Sequence, residues 1–389
     1  MGGSSCYAAA HSAPEELGGE GRARWVVSSG IFTGRPQQSG DKWAAMAWQT
    51  TSLGGSAANV QLTVPDVSRQ VAYTARYLAA SIRTLTKRHG LVIGEHAPRF
   101  ETQFTISAAH KRSWANIFGV GELEEDPPFT YYSQAGQLLM IEFLRALGIN
   151  LRHLLHLRTE MKRNVEQSTG SAGTAYKLSA HVASCTALER GRAIVVLQSD
   201  LKTMAGEQVS VTRETLIIRN VPALHLERIR AVHGSAGDGQ TAAAHSSRSE
   251  ISFAPDVRLA RSMLHVPAGM GPRYGAVSGD LNPVHTSKLA ARLFGFRRPF
   301  IQGLCTANYA LLELTRRYGP RLRQFEVTFA KPVYTGQSVE FLSSDGRFAF
   351  LDRAGRQLAF GHYEHDALRV APAAAEAVLA GARPVLAAP

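Results

Sequence analysis

Asp280 and His285 lie close together in the run Ser278-Gly279-Asp280-Leu281-Asn282-Pro283-Val284-His285. A carboxylate and a neutral imidazole that converge on one water can hold it, take a proton from it and deliver a proton elsewhere. That is the equipment for general acid–base work on a carbon–carbon double bond. A capped turn by itself needs only part of this set. The crowding of Gly279, Asp280, Asn282, Pro283 and His285 into one short run therefore favours chemistry over a plain helix start.

The local elements must bring the pair together. Asn282 followed by Pro283 reads as an N-cap and the first helical position, so a helix is expected from Pro283 to Phe294 with Gly295 as its stop. Asp280 then sits in the turn before the helix and His285 in its first turn. The positive end of a helix disfavours imidazolium, which would keep His285 neutral beside an ionised Asp280.

This run resembles the signature of MaoC-like dehydratases, the (R)-specific enoyl-thioester hydratases, in which the matching aspartate and histidine are the catalytic pair. The resemblance continues into Arg298-Pro299-Phe300-Ile301-Gln302-Gly303, where the family shows a His-Gly step opening the central helix of a hot-dog fold. Gln302 replaces that histidine and Gly303 is kept. The resemblance implies that the Gly303 N–H meets the thioester oxygen, with Asn282 and Gln302 as neighbouring substrate-binding positions. A family serine about two turns into the helix falls near Leu311 here. The match is specific over Tyr274 to Phe329.

The implied reaction is reversible hydration of a trans-2-enoyl thioester to an (R)-3-hydroxyacyl thioester, needing no metal and no redox cofactor. The implied partner is an acyl-CoA or an acyl-carrier-protein thioester, and Arg297 and Arg298 are candidates for coenzyme A phosphate contacts. Two other readings share this fold: an acyl-CoA thioesterase, with carboxylate and water acting at the carbonyl, and a non-catalytic acyl-carrier-binding module.

Composition narrows the class. The chain has 389 residues, 44% of them hydrophobic, which suits ordinary globular domains, and a net charge of +12 that suits anionic partners. Nucleic acid is not expected, since there is no zinc-finger spacing, Lys/Arg block or aromatic-basic motif. No apolar run approaches a membrane span. Three cysteines without a CxxC point to a reducing, cytoplasmic setting, with Cys305 a small buried hydrophobe. GxSxG, HExxH, Walker-A and GxGxxG motifs are missing. His110, and the neighbours His153 and His156 or His362 and His365, read as surface histidines. An assembly of several copies is compatible with all of this.

The expected architecture is α+β, a double hot-dog of two helix-on-antiparallel-sheet units. Set Pro128-Phe129 against Pro299-Phe300, and Glu142, Arg145, Gly148, Leu151 and Arg152 meet Glu313, Arg316, Gly319, Leu322 and Arg323 without a gap. Both copies read as a helix (134–147 and 306–318) followed by strands. Expected strands are 174–186, 192–203 and 209–219 in the first copy, and 324–330, 339–343, 347–352 and 357–363 in the second. Ala205-Gly206-Glu207-Gln208-Val209 echoes Ala354-Gly355-Arg356-Gln357-Leu358. The helix offset sets Ala109 and Trp114 against Asp280 and His285, so the first copy lacks the pair.

The chain divides into an N-terminal lead, 1–90, with one amphipathic helix between Pro65 and Arg88. A degenerate half, 91–230, a linker, 231–250, the catalytic half, 251–372, and an Ala/Pro-rich tail, 373–389, follow.

Overall fold

A computed structural model describes residues 23–27, 30–34, 48–53, 57–63, 99–105, 108–120, 153–164, 173–233, 251–253, 259–319, 322–344 and 346–365. The expected helices over 65–88 and 134–147, the glycine-rich part of the linker and the 373–389 tail fall outside them. The lead contains β1 (Ala23–Val27), β2 (Gly30–Gly34), β3 (Trp48–Leu53) and β4 (Ala57–Thr63), where the composition suggested little regular structure.

The first half contains β5 (Arg99–Thr105), α1 (Ala108–Phe118), β6 (Leu154–Arg163), β7 (Ala175–Leu188), β8 (Arg192–Thr203), β9 (Gln208–Ile218) and α2 (Ala223–His233). Residues 231–233, assigned above to the linker, thus finish a helix that buries Leu226 and Ile229. The second half contains β10 (Ala260–His265), α3 (Met270–Ser278), a 3-10 turn (Pro283–His285), α4 (Lys288–Leu293) and α5 (Gly303–Tyr318). It finishes with β11 (Leu322–Phe329), β12 (Ser338–Ser344), β13 (Arg347–Leu351) and β14 (Gln357–His365).

The sheet order is a palindrome. β5-β7-β8-β9-β6 on one side meets β11-β14-β13-β12-β10 on the other, joined by the antiparallel β6·β11 pair, with β4 and β3 continuing beyond β5 in a twelve-stranded sheet. The ladders share their registers. Thr159 faces Glu214 as Phe325 faces Tyr363, and Met161 faces Thr212 as Val327 faces Gly361. Both are interrupted at the same rung, between His156 and Arg158 and between Leu322 and Gln324. The echoed loops close alike: Gly206 N–H donates to the Thr203 carbonyl, and Gly355 N–H to that of Asp352. This is a double hot-dog.

In the second half α5 packs into the curve of its sheet. Leu304, Cys305, Ala307, Ala310, Leu311 and Leu314 are all buried along one stripe, at helical spacing, against Phe325, Phe341 and Phe348. Each large side chain so buried contributes on the order of 2 kcal/mol. Gly319 N–H closes the helix on the Thr315 carbonyl.

Two expectations are corrected at the first half. Ala109 and Trp114 lie on α1, which follows β5 as α3 follows β10, so they correspond to α3 rather than to the run at 280–285. Matching the left-handed glycines after these helices, Gly119 and Gly279, sets Val120 opposite Asp280. The offset is 160 residues from Gly119 to Gly279 and 166 from His156 to Leu322, so the constant offset that the helix alignment assumed does not hold. His110 is buried rather than on the surface, and burial lowers its pKa to about 4.

Candidate active site

The expected single helix from Pro283 is divided. Asn282 Oδ1 accepts from Val284 N–H at 3.3 Å to cap the 3-10 turn, and Ser287 Oγ accepts from Ala290 N–H at 3.3 Å to start α4 afresh. Gly295, at φ +84, follows α4 as the stop. His285 is therefore the last residue of a three-residue turn, and the helix-dipole argument for its neutrality does not apply.

A different contact sets its state. His285 Nδ1 lies 2.8 Å from the Phe300 carbonyl oxygen, which can only accept, so Nδ1 carries the proton. A neutral ring then keeps its lone pair on Nε2. That atom faces Asp280 Oδ2 at 3.8 Å, too far for a direct hydrogen bond and suited to two groups sharing a small molecule. Asp280 Oδ1 accepts from Asn282 N–H at 3.2 Å, which fixes the carboxylate's orientation. The His285 side chain is nearly enclosed, at 9% exposure, while that of Asp280 keeps 22%.

The carbonyl that holds His285 is itself fixed. Phe300 bridges Tyr334, and Ile301 N–H donates to the Val333 carbonyl at 2.9 Å. Three residues on, α5 begins, and the N–H groups of its first turn have no acceptor within the helix. Gly303 packs closely there: a Cβ on it would lie 3.2 Å from the Phe329 ring, which would have to give by a few tenths of an ångström. Gln302 faces inward and acts as a brace, its Nε2 donating to the Gly271 carbonyl at 3.1 Å and the Asp280 carbonyl at 3.0 Å. Asn282 is engaged as the cap. Arg297 and Arg298 are exposed, with the Arg298 guanidinium over Tyr334 at 5.5 Å.

Three contributions escaped the sequence reading. The glycines of α3 let it lie directly on the run: a Cβ on Gly271 would stand 2.0 Å from the His285 carbonyl oxygen, and one on Gly275 2.8 Å from that of Asp280. Their four-residue spacing was the available signal. Behind them, the buried Tyr274 hydroxyl accepts from Asn308 Nδ2 at 3.1 Å. Burial, followed by Cys305 and Asp280, raises its pKa well above the ordinary phenol value.

The third comes from the first half. His156, read above as a surface histidine, is turned onto the inner face by the bulge at His156/Arg158 and pairs with Leu216. Its Nε2 lies 2.9 Å from Thr159 Oγ1, and its ring meets Phe329 edge-on at 5.0 Å between centroids. Burial lowers its pKa to about 4, opposed by the Arg158 backbone and by the Asp280 carboxylate. From the same half, Phe118 on α1 packs edge-on against Tyr274 at 6.1 Å and Tyr309 at 5.1 Å.

The fold is a double hot-dog, and Asp280 and His285 lie beside the start of α5. Residues 256–347 match the family model described as "MaoC like domain", so the chain carries a MaoC-like domain.

Among curated proteins, the 3-hydroxyacyl-thioester dehydratase X of Mycobacterium tuberculosis is 46% identical over 61 residues, 16% of this chain and 21% of that protein. The probable enoyl-CoA hydratase 2 of Dictyostelium discoideum is 37% identical over 71 residues, 17% of this chain and 24% of that protein. The mouse peroxisomal multifunctional enzyme type 2 is 35% identical over 68 residues, 16% of this chain and 9% of that protein. The chain thus matches less than a quarter of the length of each of these relatives.

The fold extends further than the sequence match. The crystal structure of HtdX from Mycobacterium tuberculosis aligns with a TM-score of 0.52 and 17% identity, over 69% of this chain and 99% of that one. A MaoC-like dehydratase from Phytophthora capsici aligns with a TM-score of 0.50 and 14% identity, over 74% and 98%.

Proposed function

We propose that the protein reversibly hydrates trans-2-enoyl thioesters to (R)-3-hydroxyacyl thioesters in the cytoplasm, taking an acyl-CoA or acyl-carrier-protein substrate. The observation that carries this is the separation of His285 Nε2 and Asp280 Oδ2, with Nδ1 committed to Phe300. The hydratase and dehydratase names of the curated relatives agree with it, and the (R) configuration follows from the likeness to MaoC-like domains.

In the proposed cycle the thioester carbonyl accepts from Gly303 N–H at the positive end of α5, which stabilises negative charge as it spreads onto that oxygen. A water held between the pair gives a proton to His285 Nε2 while its oxygen bonds to C3. The electrons of the double bond move towards C2 and the carbonyl, and C2 then takes up a proton returned by the pair. Pair and water thus end with H on C2 and OH on C3, and the pair regains its starting charge. Arg297 and Arg298 are placed to meet coenzyme A phosphates. The division into a non-catalytic half at 91–230 and a catalytic half at 251–372 belongs to the same proposal, with Val120 opposite Asp280 in its support.

Crotonyl-CoA tests the reaction type. Loss of the enoyl absorbance without free thiol is the expected result. Release of thiol would replace hydration by hydrolysis, and no change in either would remove the hydratase assignment for this substrate.

A further inference from the structure

Helix α4 (Lys288–Leu293) follows directly on the 280–285 run, and Ala291 is its one buried residue. On the side away from Ala291, helical spacing sets Leu289 beside Leu293 and Lys288 beside Arg292 in two neighbouring rows. Leu293, at 75% exposure, and Leu289, at 69%, are the most exposed large hydrophobic side chains among the described residues, and Phe294 beside them is 41% exposed. Lys288, Arg292, Arg297 and Arg298 are exposed as well.

The composition of this segment is narrow. No acidic residue lies between Asp280 and Glu313, and no side chain from Lys288 to Arg298 carries an uncharged hydrogen-bonding group. The surface therefore offers hydrocarbon and positive charge and nothing else. The fold does not call for the hydrocarbon, since α4 is held by Ala291, by Ser287 Oγ at its start and by the Phe296 N–H on the Ala291 carbonyl at 2.9 Å. Single exposed leucines are ordinary, whereas large apolar groups crowded beside cations mark a contact surface.

The chemistry selects the partner. A protein–protein interface carries about ten direct hydrogen bonds and a groove shaped to its partner; here only the cations could supply them, and the leucines protrude. A second copy of the chain would bring the same row of cations, and the same net charge of +12, against itself. An anionic bilayer accepts both features, because its headgroups pair with cations and its fluid boundary region takes up protruding apolar side chains whatever their shape.

We infer that α4 docks the protein on the surface of an anionic lipid bilayer. Leu289, Leu293 and Phe294 enter the boundary between headgroups and acyl chains, and Lys288 and Arg292 pair with the anionic headgroups. The attachment is peripheral, as no described helix is long and apolar enough to cross a membrane. It does not depend on the hydratase reading. Set beside that reading, it brings the 280–285 run to a surface where long-chain acyl thioesters, being amphiphiles, collect.

Vesicle flotation with the full-length protein tests the inference. The probes are vesicles of equimolar phosphatidylcholine and phosphatidylserine, compared with phosphatidylcholine alone. The protein is expected to bind the anionic vesicles roughly tenfold tighter or more, and less tightly as salt is raised. Leu289→Ser with Leu293→Ser, and separately Lys288→Gln with Arg292→Gln, should each weaken that binding about tenfold. Both pairs are exposed, so the melting temperature should not move. Lys202→Gln with Arg213→Gln removes exposed cations from β8 and β9 in the first half and should leave binding within about twofold.

The inference is overturned if the parent binds neither vesicle or both alike, or if the leucine pair binds as the parent does. It is also overturned if the pair on β8 and β9 weakens binding as much as the pair on α4, which would make the attraction a diffuse effect of net charge. A parent dimer in size-exclusion chromatography that the leucine pair converts to a monomer would assign the face to a second copy of the chain instead.

Discussion

The Phe300 carbonyl accepts from His285 Nδ1 at 2.8 Å, so a neutral ring keeps its lone pair on Nε2, the atom that faces Asp280. Asp280→Asn and His285→Ala are each expected to lower kcat by roughly two to four orders of magnitude, the range for a positioned acid–base group. Their melting curves and circular dichroism should stay close to the parent's. A variant that loses activity only in proportion to its folded fraction would reassign the residue to the scaffold. Glu214 supports a prediction about stability. Its folded pKa of about 7 lies above the model-peptide value of 4.5. Below about pH 4.5 both folded and unfolded carboxyls are protonated. As pH rises towards 7 the unfolded chain gives up this proton first, and stability is lost across that window, by about 3 kcal/mol in all. Glu214→Gln removes this dependence, so its stability relative to the parent should climb between about pH 4.5 and 7 and then level off. His110 and His156 act in the opposite direction and are common to both proteins, so they cancel in the difference. Urea unfolding at a series of pH values reads it, and a flat difference would contradict the assigned burial of the carboxyl.

Helix α3 fixes the 280–285 run by having almost nothing between the two backbones. Gly271→Ala would place a methyl 2.0 Å from the His285 carbonyl oxygen, and the other atom is backbone that cannot swing aside. We expect at least a tenfold fall in kcat and roughly 1 to 3 kcal/mol of lost stability. Gly275→Ala should be milder, and Gly269→Ala, whose Cβ would meet nothing within 4 Å, should leave both quantities unchanged. A fully active Gly271→Ala enzyme would mean that the run does not depend on α3. The same segment shows what a sequence can disclose about a site. Asn282, Pro283 and Gly295 carried their local roles visibly, because capping and left-handed backbone are decided by neighbours in the chain. The break at Thr286 was legible in Ser287, an N-cap three residues ahead of Ala290 that a longer assumed helix concealed. Gly271 and Gly275 went unread, since their role depends on a run that folds back onto them. The strands β11 to β14 were found within a few residues by alternation and turns. The bulge that turns His156 inward was not, because it exists only in the register between β6 and β9.

Across the whole molecule, the β6·β11 pair makes one sheet of two halves, and the halves exchange support around the 280–285 run. Arg158 reaches Glu326 across the seam at 3.5 Å, His156 packs on Phe329, and Phe118 supports both Tyr274 and Tyr309. Residues 251–372 expressed alone would lose these contacts together. β11 would become an open edge beside the packed rings of Phe325, Phe341, Phe348 and Phe350, the arrangement that promotes strand addition between chains. The fragment is therefore expected to be insoluble, or to dimerise through β11 in place of β6. If it can be kept in solution, it should act poorly on long acyl chains. On the proposed function a long acyl tail reaches the junction of the two halves, which the fragment lacks, whereas a short one stays by α3, α5 and the 280–285 run. Co-expression with residues 1–250 should restore a soluble species and raise long-chain turnover more than crotonyl-CoA turnover. Size-exclusion chromatography and the ratio of the two rates measure both effects. A monomeric fragment with full activity at every chain length would make the first half an independent domain, and the shared registers would then record ancestry without present use.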